Sequence, residues 1–252
     1  MKFIAIIPAR YASTRFPGKP LAMLAGKSVV QRVYEQVTKT IARTIVATDD
    51  QRIFEHVTGF GGNVVMTSPH HSSGTDRCWQ AYQLWGGNED VIINVQGDEP
   101  FVHPQQIEAI MRCFDDEKTD IATLVKPFDA NGDYAALEDP NKVKVVFDNA
   151  MNALYFSRSV IPCLRGIDQH LWPGKHQFYT HLGMYAYRAR ALEQIAQLPQ
   201  SSLEAAERLE QLRWLQNGLR IKVGITQHSS IGIDTEHDLE RARQFLMDHG
   251  EI

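Results

Sequence analysis

The sequence predicts an α/β fold: a doubly wound, mostly parallel sheet with an inserted antiparallel lobe. Two observations carry this. Over the first half of the chain, apolar strand candidates rich in Ile and Val alternate with amphipathic helix candidates. After about residue 119 the rhythm changes to strand-like segments with few helices between them. A chain of 252 residues, 43% of them hydrophobic, can bury a core as one large domain or one domain with an appended lobe.

The elements follow in order. Phe3–Ala9, "FIAIIPA", reads as a buried strand. Residues 28–42 read as a helix, with Val29, Val33, Val37 and Ile41 at helical spacing and Ser28 as its N-cap. Residues 43–48 form a second strand, followed by a helix over 50–58. A short strand over 64–67 precedes a helix over 76–85, and "VIINVQ", 91–96, is the fourth strand. Residues 104–117 read as a helix with proline in its first turn. Then come the strand-like "DIATLVKPF", "KVKVVFD" and "ALYFSR". Residues 164–175, rich in Gly, Asp, His and Trp, look like a loop or insertion. Residues 201–217 read as one long helix closed by Gly218 at C′. "IKVGIT" is a strand, and 235–248 is a terminal helix after "GID". With no internal repeat, low-complexity tract or linker, residues 1–252 read as one α/β domain, with the lobe at approximately 120–200.

Composition excludes some functions. A net charge of −4 argues against a nucleic-acid binder that works through bulk positive charge. Apolar runs of about six residues fall far short of the roughly 20 needed for membrane insertion. The N-terminal apolar stretch stops at Pro8, too early for a secretory signal. Cys78, Cys113 and Cys163 are widely spaced with no CxxC, which fits a reduced, cytoplasmic protein. No Cys/His cluster has metal-site spacing, and His70-His71 reads as loop.

Ligands in open α/β sheets bind beyond the carboxyl ends of the strands. There, Arg10, Arg15 and Lys19 follow the first strand, with Ser13, Thr14 and Gly18 giving a flexible backbone. Guanidinium forks and a compact ammonium suit phosphate, although GxxxxGK[ST] is absent. "NVQGDEP", 94–100, ends the fourth strand. Gly97 allows close backbone approach, and Asp98 is placed for Mg²⁺ together with a substrate phosphate. Gln96 shares its face, while Glu99 reads as a cap for the next helix. Asp234 in "GIDT" either N-caps the last helix or, if the fold brings it near Asp98, completes a metal site. In "HLGMYAYR", alternation puts His181, Gly183, Tyr185 and Tyr187 on one face and Leu182, Met184 and Ala186 in the core. Glu207, Glu210, Gln211 and Trp214 form a helical row that either reads a polyhydroxylated ligand or is a solvated face. "SSGTDR", 72–77, offers backbone amides to a nucleotide; Arg77 contacts it or is a surface arginine.

Together, "IPARYASTRFPGKPL", "VATDD", "SGTDR", "NVQGDEP", "ALYFSR", "HLGMYAYR", "LEQLRWL" and "GIDT" resemble, in order and across nearly the whole chain, the 3-deoxy-manno-octulosonate (Kdo) cytidylyltransferases. A looser form of the opening loop also occurs in sialic-acid cytidylyltransferases. The resemblance implies a nucleotide-diphospho-sugar-transferase-type body with a dimerisation lobe, and transfer of CMP from CTP to Kdo with release of pyrophosphate. It implies that Arg10, Arg15 and Lys19 hold the triphosphate, Lys19 with a catalytic task at the leaving group. Thr48, Ser73, Arg77 and Gln96 lie around the nucleotide, and Asp98 and Asp234 bind Mg²⁺. Gln96, Arg158, His181, Tyr185, Glu210 and Gln211 line the sugar pocket. Asp76 departs from the Glu of many members. The implied partners are CTP, Kdo and a second copy of the chain. The rival readings are a cytidylyltransferase for 8-amino-Kdo or a sialic acid, and a non-catalytic nucleotide-binding regulator on the same fold.

Overall fold

The computed structural model describes residues 1–12, 15–71, 73–229 and 231–248. Ser13, Thr14 and Ser72, assigned above to ligand loops, lie outside the described residues. The chain forms two compact units, one from Met1–Ile107 with Ser229–Ile252, the other from Glu108–His228.

The first unit begins with β1 (Phe3–Ala9), whose Ile4, Ala5, Ile6 and Ile7 are fully buried. A two-stranded hairpin, β2 (Met23–Leu24) and β3 (Lys27–Ser28), leads into α1 (Val29–Thr38). Ser28 caps α1 by accepting from Gln31 N–H at 3.2 Å, and Val29, Val30, Val33 and Val37 form the buried face. Then follow β4 (Thr44–Thr48), α2 (Gln51–Gly59) capped by Asp50, β5 (Val64–Met66), α3 (Gly74–Leu84) capped by Ser73, and β6 (Val91–Asn94). The strand order is β6-β1-β4-β5, every pair parallel. Strands buried on both faces explain the unbroken apolar runs. From β1 the chain winds outward to β4 and β5, then returns to place β6 on the other side of β1. This reversal is a topological switch point, where the loops after two neighbouring strands diverge and leave a crevice. The loops after β1 and β6 carry the basic stretch and "QGDEP".

Helix α4 (Pro104–Arg112) carries the chain into the second unit and tightens into a 3₁₀ turn at Cys113–Asp115, short of the expected residue 117. There β7 (Ile121–Pro127), α5 (Tyr134–Glu138), β8 (Lys144–Phe147), β9 (Ala153–Ser157), α6 (Trp172–Lys175) and β10 (Tyr179–Arg188) follow. Helices α7 (Ala189–Ile195), α8 (Ser202–Glu207) and α9 (Gln211–Gln216) then lead to β11 (Ile221–Ile225). Here β7 is parallel to β11 and antiparallel to β10, and β8 is antiparallel to β10 and β9. The stretch read as loop, 164–175, contains α6; its Trp172 is buried with Tyr134, Leu137 and Phe178 and donates to the Ile167 carbonyl at 3.0 Å. The chain closes with α10 (Glu236–Asp248) in the first unit, where Leu239, Ala242 and Leu246 pack with Leu24, Val29 and Ile233.

The single helix expected over 201–217 is a correction: it is two helices. Arg208 sits at φ 53 in the left-handed region and ends α8. Arg158 fastens this break, donating from Nε to the Glu207 carbonyl at 2.7 Å and from NH1 to the Pro140 carbonyl at 2.9 Å. Helical periodicity continues on either side, so the apolar pattern alone conceals the interruption. The start of α8 is a capping box in which Ser201 and Glu204 satisfy each other's backbone, and buried Glu204 also accepts from Arg213 at 2.9 Å. Replacing Glu204 by Ala therefore removes a cap and a charge-assisted bond. The expected loss is about 2 kcal/mol in urea unfolding, against about 1 kcal/mol for Ser201→Ala. Equal midpoints for Glu204→Ala and the parent protein would refute this account.

Candidate active site

The basic loop is shaped by its backbone. Gly18 N–H donates to the Tyr11 carbonyl at 2.9 Å, closing the loop after β1. Gly18 lies at φ 73, and a Cβ there would sit 3.1 Å from the Tyr11 ring. The same ring lies under the Arg52 guanidinium, 3.3 Å from its centroid, and Arg52 is itself held by Asp50 at 2.9 and 2.6 Å. A 3₁₀ turn over Lys19–Leu21, with Pro20 in its first positions, follows and leaves the Lys19 side chain only 13% exposed.

Beyond β6 the backbone passes so close to β1 that a Cβ on Gly97 would lie 2.6 Å from the Pro8 carbonyl oxygen. Asp98 comes next, and its carbonyl accepts from Ile233 N–H at 2.9 Å. That bond brings Asp234 beside Asp98. Lys19 Nζ then lies 2.6 Å from Asp98 Oδ2 and 3.1 Å from Asp234 Oδ1, while Arg15 reaches Asp234 Oδ2 at 3.1 Å. The capping alternative for Asp234 is taken by its neighbours. Thr235 Oγ1 accepts from Asp238 N–H at 3.1 Å, and Asp238 Oδ2 accepts from Thr235 N–H at 3.0 Å. This is a capping box, legible as the Thr-Glu-His-Asp spacing of 235–238 and missed above. Its hydrogen bonds hold the Asp238 carboxyl below its ordinary pKa.

Arg10, Arg15, Lys19, Arg77, Gln96, Gly97, Asp98 and Asp234 line one cavity of about 450 Å³, within the range of small-molecule sites. Arg77 is not the surface arginine that sequence left open. It is 1% exposed and bonds Asp49 at 2.7 Å and Thr67 Oγ1 at 2.6 Å. Asp49, the first acid of "TDD", had drawn no attention by itself. Thr48 and Ser73 stand just behind: Thr48 Oγ1 accepts from Asp50 N–H at 3.2 Å, and Ser73 Oγ from Asp76 N–H at 3.1 Å. Glu99 N–H closes a turn onto the Gln96 carbonyl at 3.2 Å. The donor set suits Mg²⁺: two hard carboxylates reach one cation, and Mg²⁺ commonly takes one or two carboxylates with its remaining ligands from phosphate and water.

The second unit holds the other cluster. His181, Tyr185 and Tyr187 do share a face of β10, although a register shift lies between Leu182 and Tyr185. Trp214 stands edge-on to both tyrosines, with centroids 4.9 and 5.5 Å away. The acidic row is not a solvated face. Gln211 and Trp214 are buried, Glu207 accepts from Ser157 Oγ at 2.7 Å and Arg158 N–H at 2.9 Å, and Glu210 accepts from Arg213 at 3.2 Å. Arg158 spends its guanidinium on the α8 break described above. Buried Gln211 Nε2, Arg213 Nε and Trp214 Nε1 have no hydrogen-bond partner of normal geometry among the described residues, and the Tyr185 hydroxyl has only a loose approach to Thr123. Buried polar groups left this way point to a ligand or water that supplies the acceptors. Burial raises the Tyr185 pKa well above its ordinary value, and the Glu210 charge adds to this, so the hydroxyl keeps its proton.

Thr123 Oγ1 donates to the Met184 carbonyl at 2.8 Å and lies 3.0 Å from His181 Nε2. Burial lowers the His181 pKa from 6.5 to about 3. The folded protein thus stays neutral here while the unfolded chain protonates below pH 6.5, and stability falls as pH falls from 6.5 towards 3, by about 1.4 kcal/mol per unit. Between pH 6.5 and pH 5, His181→Gln should escape about 2 kcal/mol of the loss that the parent protein suffers in urea unfolding. Parallel losses in both proteins would overturn the neutral assignment.

Comparison with known proteins places these features. A family model described as cytidylyltransferase matches residues 4–221. The 3-deoxy-manno-octulosonate cytidylyltransferase of Parabacteroides distasonis is 60% identical over 98% of this chain and 98% of its own. That of Thermodesulfovibrio yellowstonii is 45% identical, again over 98% of both chains. The solved structure of CMP:2-keto-3-deoxy-manno-octonic acid synthetase complexed with CTP superposes with a TM-score of 0.90 at 39% identity, covering 99% of this chain and 100% of that one. A glucose-1-phosphate thymidylyltransferase from Bacillus anthracis, 16% identical with a TM-score of 0.65, shares the fold. With motifs, fold and near-complete alignments in agreement, the chain belongs to the 3-deoxy-manno-octulosonate cytidylyltransferase family.

Proposed function

We propose that this protein transfers CMP from CTP to the anomeric 2-hydroxyl of Kdo, giving CMP-Kdo and pyrophosphate, and so activates the sugar for lipopolysaccharide synthesis. The observation that carries the proposal is the convergence of Lys19 with Asp98 and Asp234 in a cavity also lined by Arg10, Arg15 and Arg77. Cations suit a triphosphate, and the paired carboxylates suit the Mg²⁺ that accompanies it. The 2-hydroxyl oxygen attacks the α-phosphorus and its proton passes to water, while the bond to the bridging oxygen breaks and pyrophosphate leaves with the electron pair. Such a transfer depends on in-line positioning and charge neutralisation.

In this reading Arg10 and Arg15 grip the triphosphate from the open side, and Arg77, fixed by Asp49 and Thr67, faces it from a buried position. Lys19 neutralises charge gathering on the departing pyrophosphate. Asp98 and Asp234 hold Mg²⁺, which when bound offsets phosphate charge and favours ionisation of the attacking hydroxyl. Thr48 and Ser73 shape the nucleotide's surroundings through the turns they cap. For the sugar, the buried donors of Tyr185 and Gln211, with Glu210 and His181, suit a hydroxyl-rich acid, and Arg158 fixes the helix break beside them. A His181 kept neutral by burial and held against Thr123 through Nε2 serves as a sugar contact rather than a base. No helix among the described residues is long and apolar enough to cross a membrane. The resemblance supports a cytoplasmic homodimer as the working form.

Asp98→Asn should lower turnover by at least about a thousandfold with unchanged unfolding, because a neutral amide binds Mg²⁺ poorly. Near-parental turnover would refute the metal assignment. With CTP and Mg²⁺ supplied, pyrophosphate release should be fastest with Kdo in a panel containing 8-amino-Kdo and a sialic acid. Faster release with either alternative would reassign the sugar, and release with none would favour a nucleotide-binding regulator.

A further inference from the structure

The position of Lys19 bears on the order in which ligands enter. We propose that Lys19 is a resident counter-cation, which holds Asp98 and Asp234 so that a divalent ion enters this site together with the nucleotide rather than ahead of it. The proposal rests on the reading of Asp98 and Asp234 as the metal-binding pair. Lys19 Nζ makes close contact with a carboxylate oxygen of each, at 2.6 and 3.1 Å. Arg15 adds a second cation on Asp234 at 3.1 Å. Two positive and two negative side chains therefore balance locally, and an arriving divalent ion meets no net negative charge.

The two cations differ in how firmly they are placed. Arg15 is 67% exposed and can swing into solvent. Lys19 is 13% exposed and stands on a backbone fixed by Gly18, the Pro20 turn and the Leu21-to-Gly18 hydrogen bond of 2.9 Å. It leaves the carboxylates only for another anion within reach. A triphosphate is such an anion: its oxygens compete for the ammonium and release both carboxylates to the ion that the triphosphate carries. An ammonium is a compact point charge with rotatable donors, suited to changing partners without moving its stem. Lys19 thus favours the metal–nucleotide complex over the free metal, and this preference is separable from any role at the leaving group.

The test uses Mn²⁺ as the probe, followed by water-proton relaxation on the 252-residue protein without nucleotide. Lys19→Met should bind Mn²⁺ at least tenfold more tightly than the parent, Arg15→Met about twofold more tightly, and Lys19→Arg, which keeps the charge, no more tightly. A saturating non-hydrolysable CTP analogue should tighten Mn²⁺ binding at least tenfold in the parent and much less in Lys19→Met. If Lys19→Met fails to fold, Lys19→Gln, which also removes the charge, takes its place. Parental-strength Mn²⁺ binding in folded Lys19→Met, or no effect of the analogue on the parent's metal affinity, would overturn the proposal. Full Mn²⁺ binding by Asp98→Asn in the presence of the analogue would instead overturn the metal assignment beneath it.

Discussion

The hydrogen bond from Ile233 N–H to the Asp98 carbonyl decides what the cavity can do. Asp98 arrives at the end of β6 and Asp234 arrives just before α10, more than a hundred residues later. Nothing local relates them. One backbone bond, with Ile233 buried against Leu24 and Val29, sets their separation, and Lys19 reads that separation by touching both. The switch point between β1 and β6 explains why the basic loop is there too. With β6 returning to the far side of β1, the loops after these two strands part, and the first carries the cations while the second carries the acid.

The second cluster follows a different logic. Charge does not organise it; burial does. His181 is kept neutral by desolvation, Tyr185 is kept protonated by it, and Glu207 and Glu210 are tied to Ser157, the Arg158 amide and Arg213. What remains unsatisfied is donors: a phenol, an amide, an indole and the Nε of Arg213. A buried donor without an acceptor costs free energy in the ligand-free protein, so a ligand rich in oxygen is favoured there by what the protein lacks as well as by what it presents.

Much of this was legible in sequence, for physical reasons. The inner parallel strands β1, β4 and β6 of the first unit are buried on both faces, so they read as apolar runs, and Ser28 and Gly218 marked helix ends correctly. The family motifs drew attention to the cations and Asp98, which follow β1 and β6, and to Asp234, which precedes α10. The failures have causes as well. Arg208 breaks a helix without Gly or Pro to announce it, because Arg158 supplies the compensating hydrogen bonds from another strand's end. The row Glu207 to Trp214 stayed open between a ligand-reading and a solvated face, because periodicity reports a face and not what covers it. The fixing of Arg77 by Asp49 and of His181 by Thr123 joins residues distant in sequence, and no local pattern encodes such partners. The Thr235–Asp238 box was readable, and reading it would have freed Asp234 from its capping role at once.

The first unit is discontinuous, and this has a consequence for how the molecule is made. A chain emerging from the ribosome presents Arg10, Arg15, Lys19 and Asp98 early. Asp234 and the helix that seats it are synthesised only after every residue of the second unit. Nascent or prematurely terminated chains thus carry the three cations and Asp98 but lack Asp234. In such chains Lys19 meets Asp98 without the second acid that it also contacts in the folded protein, so the ion-paired group forms only once Asp234 has been made.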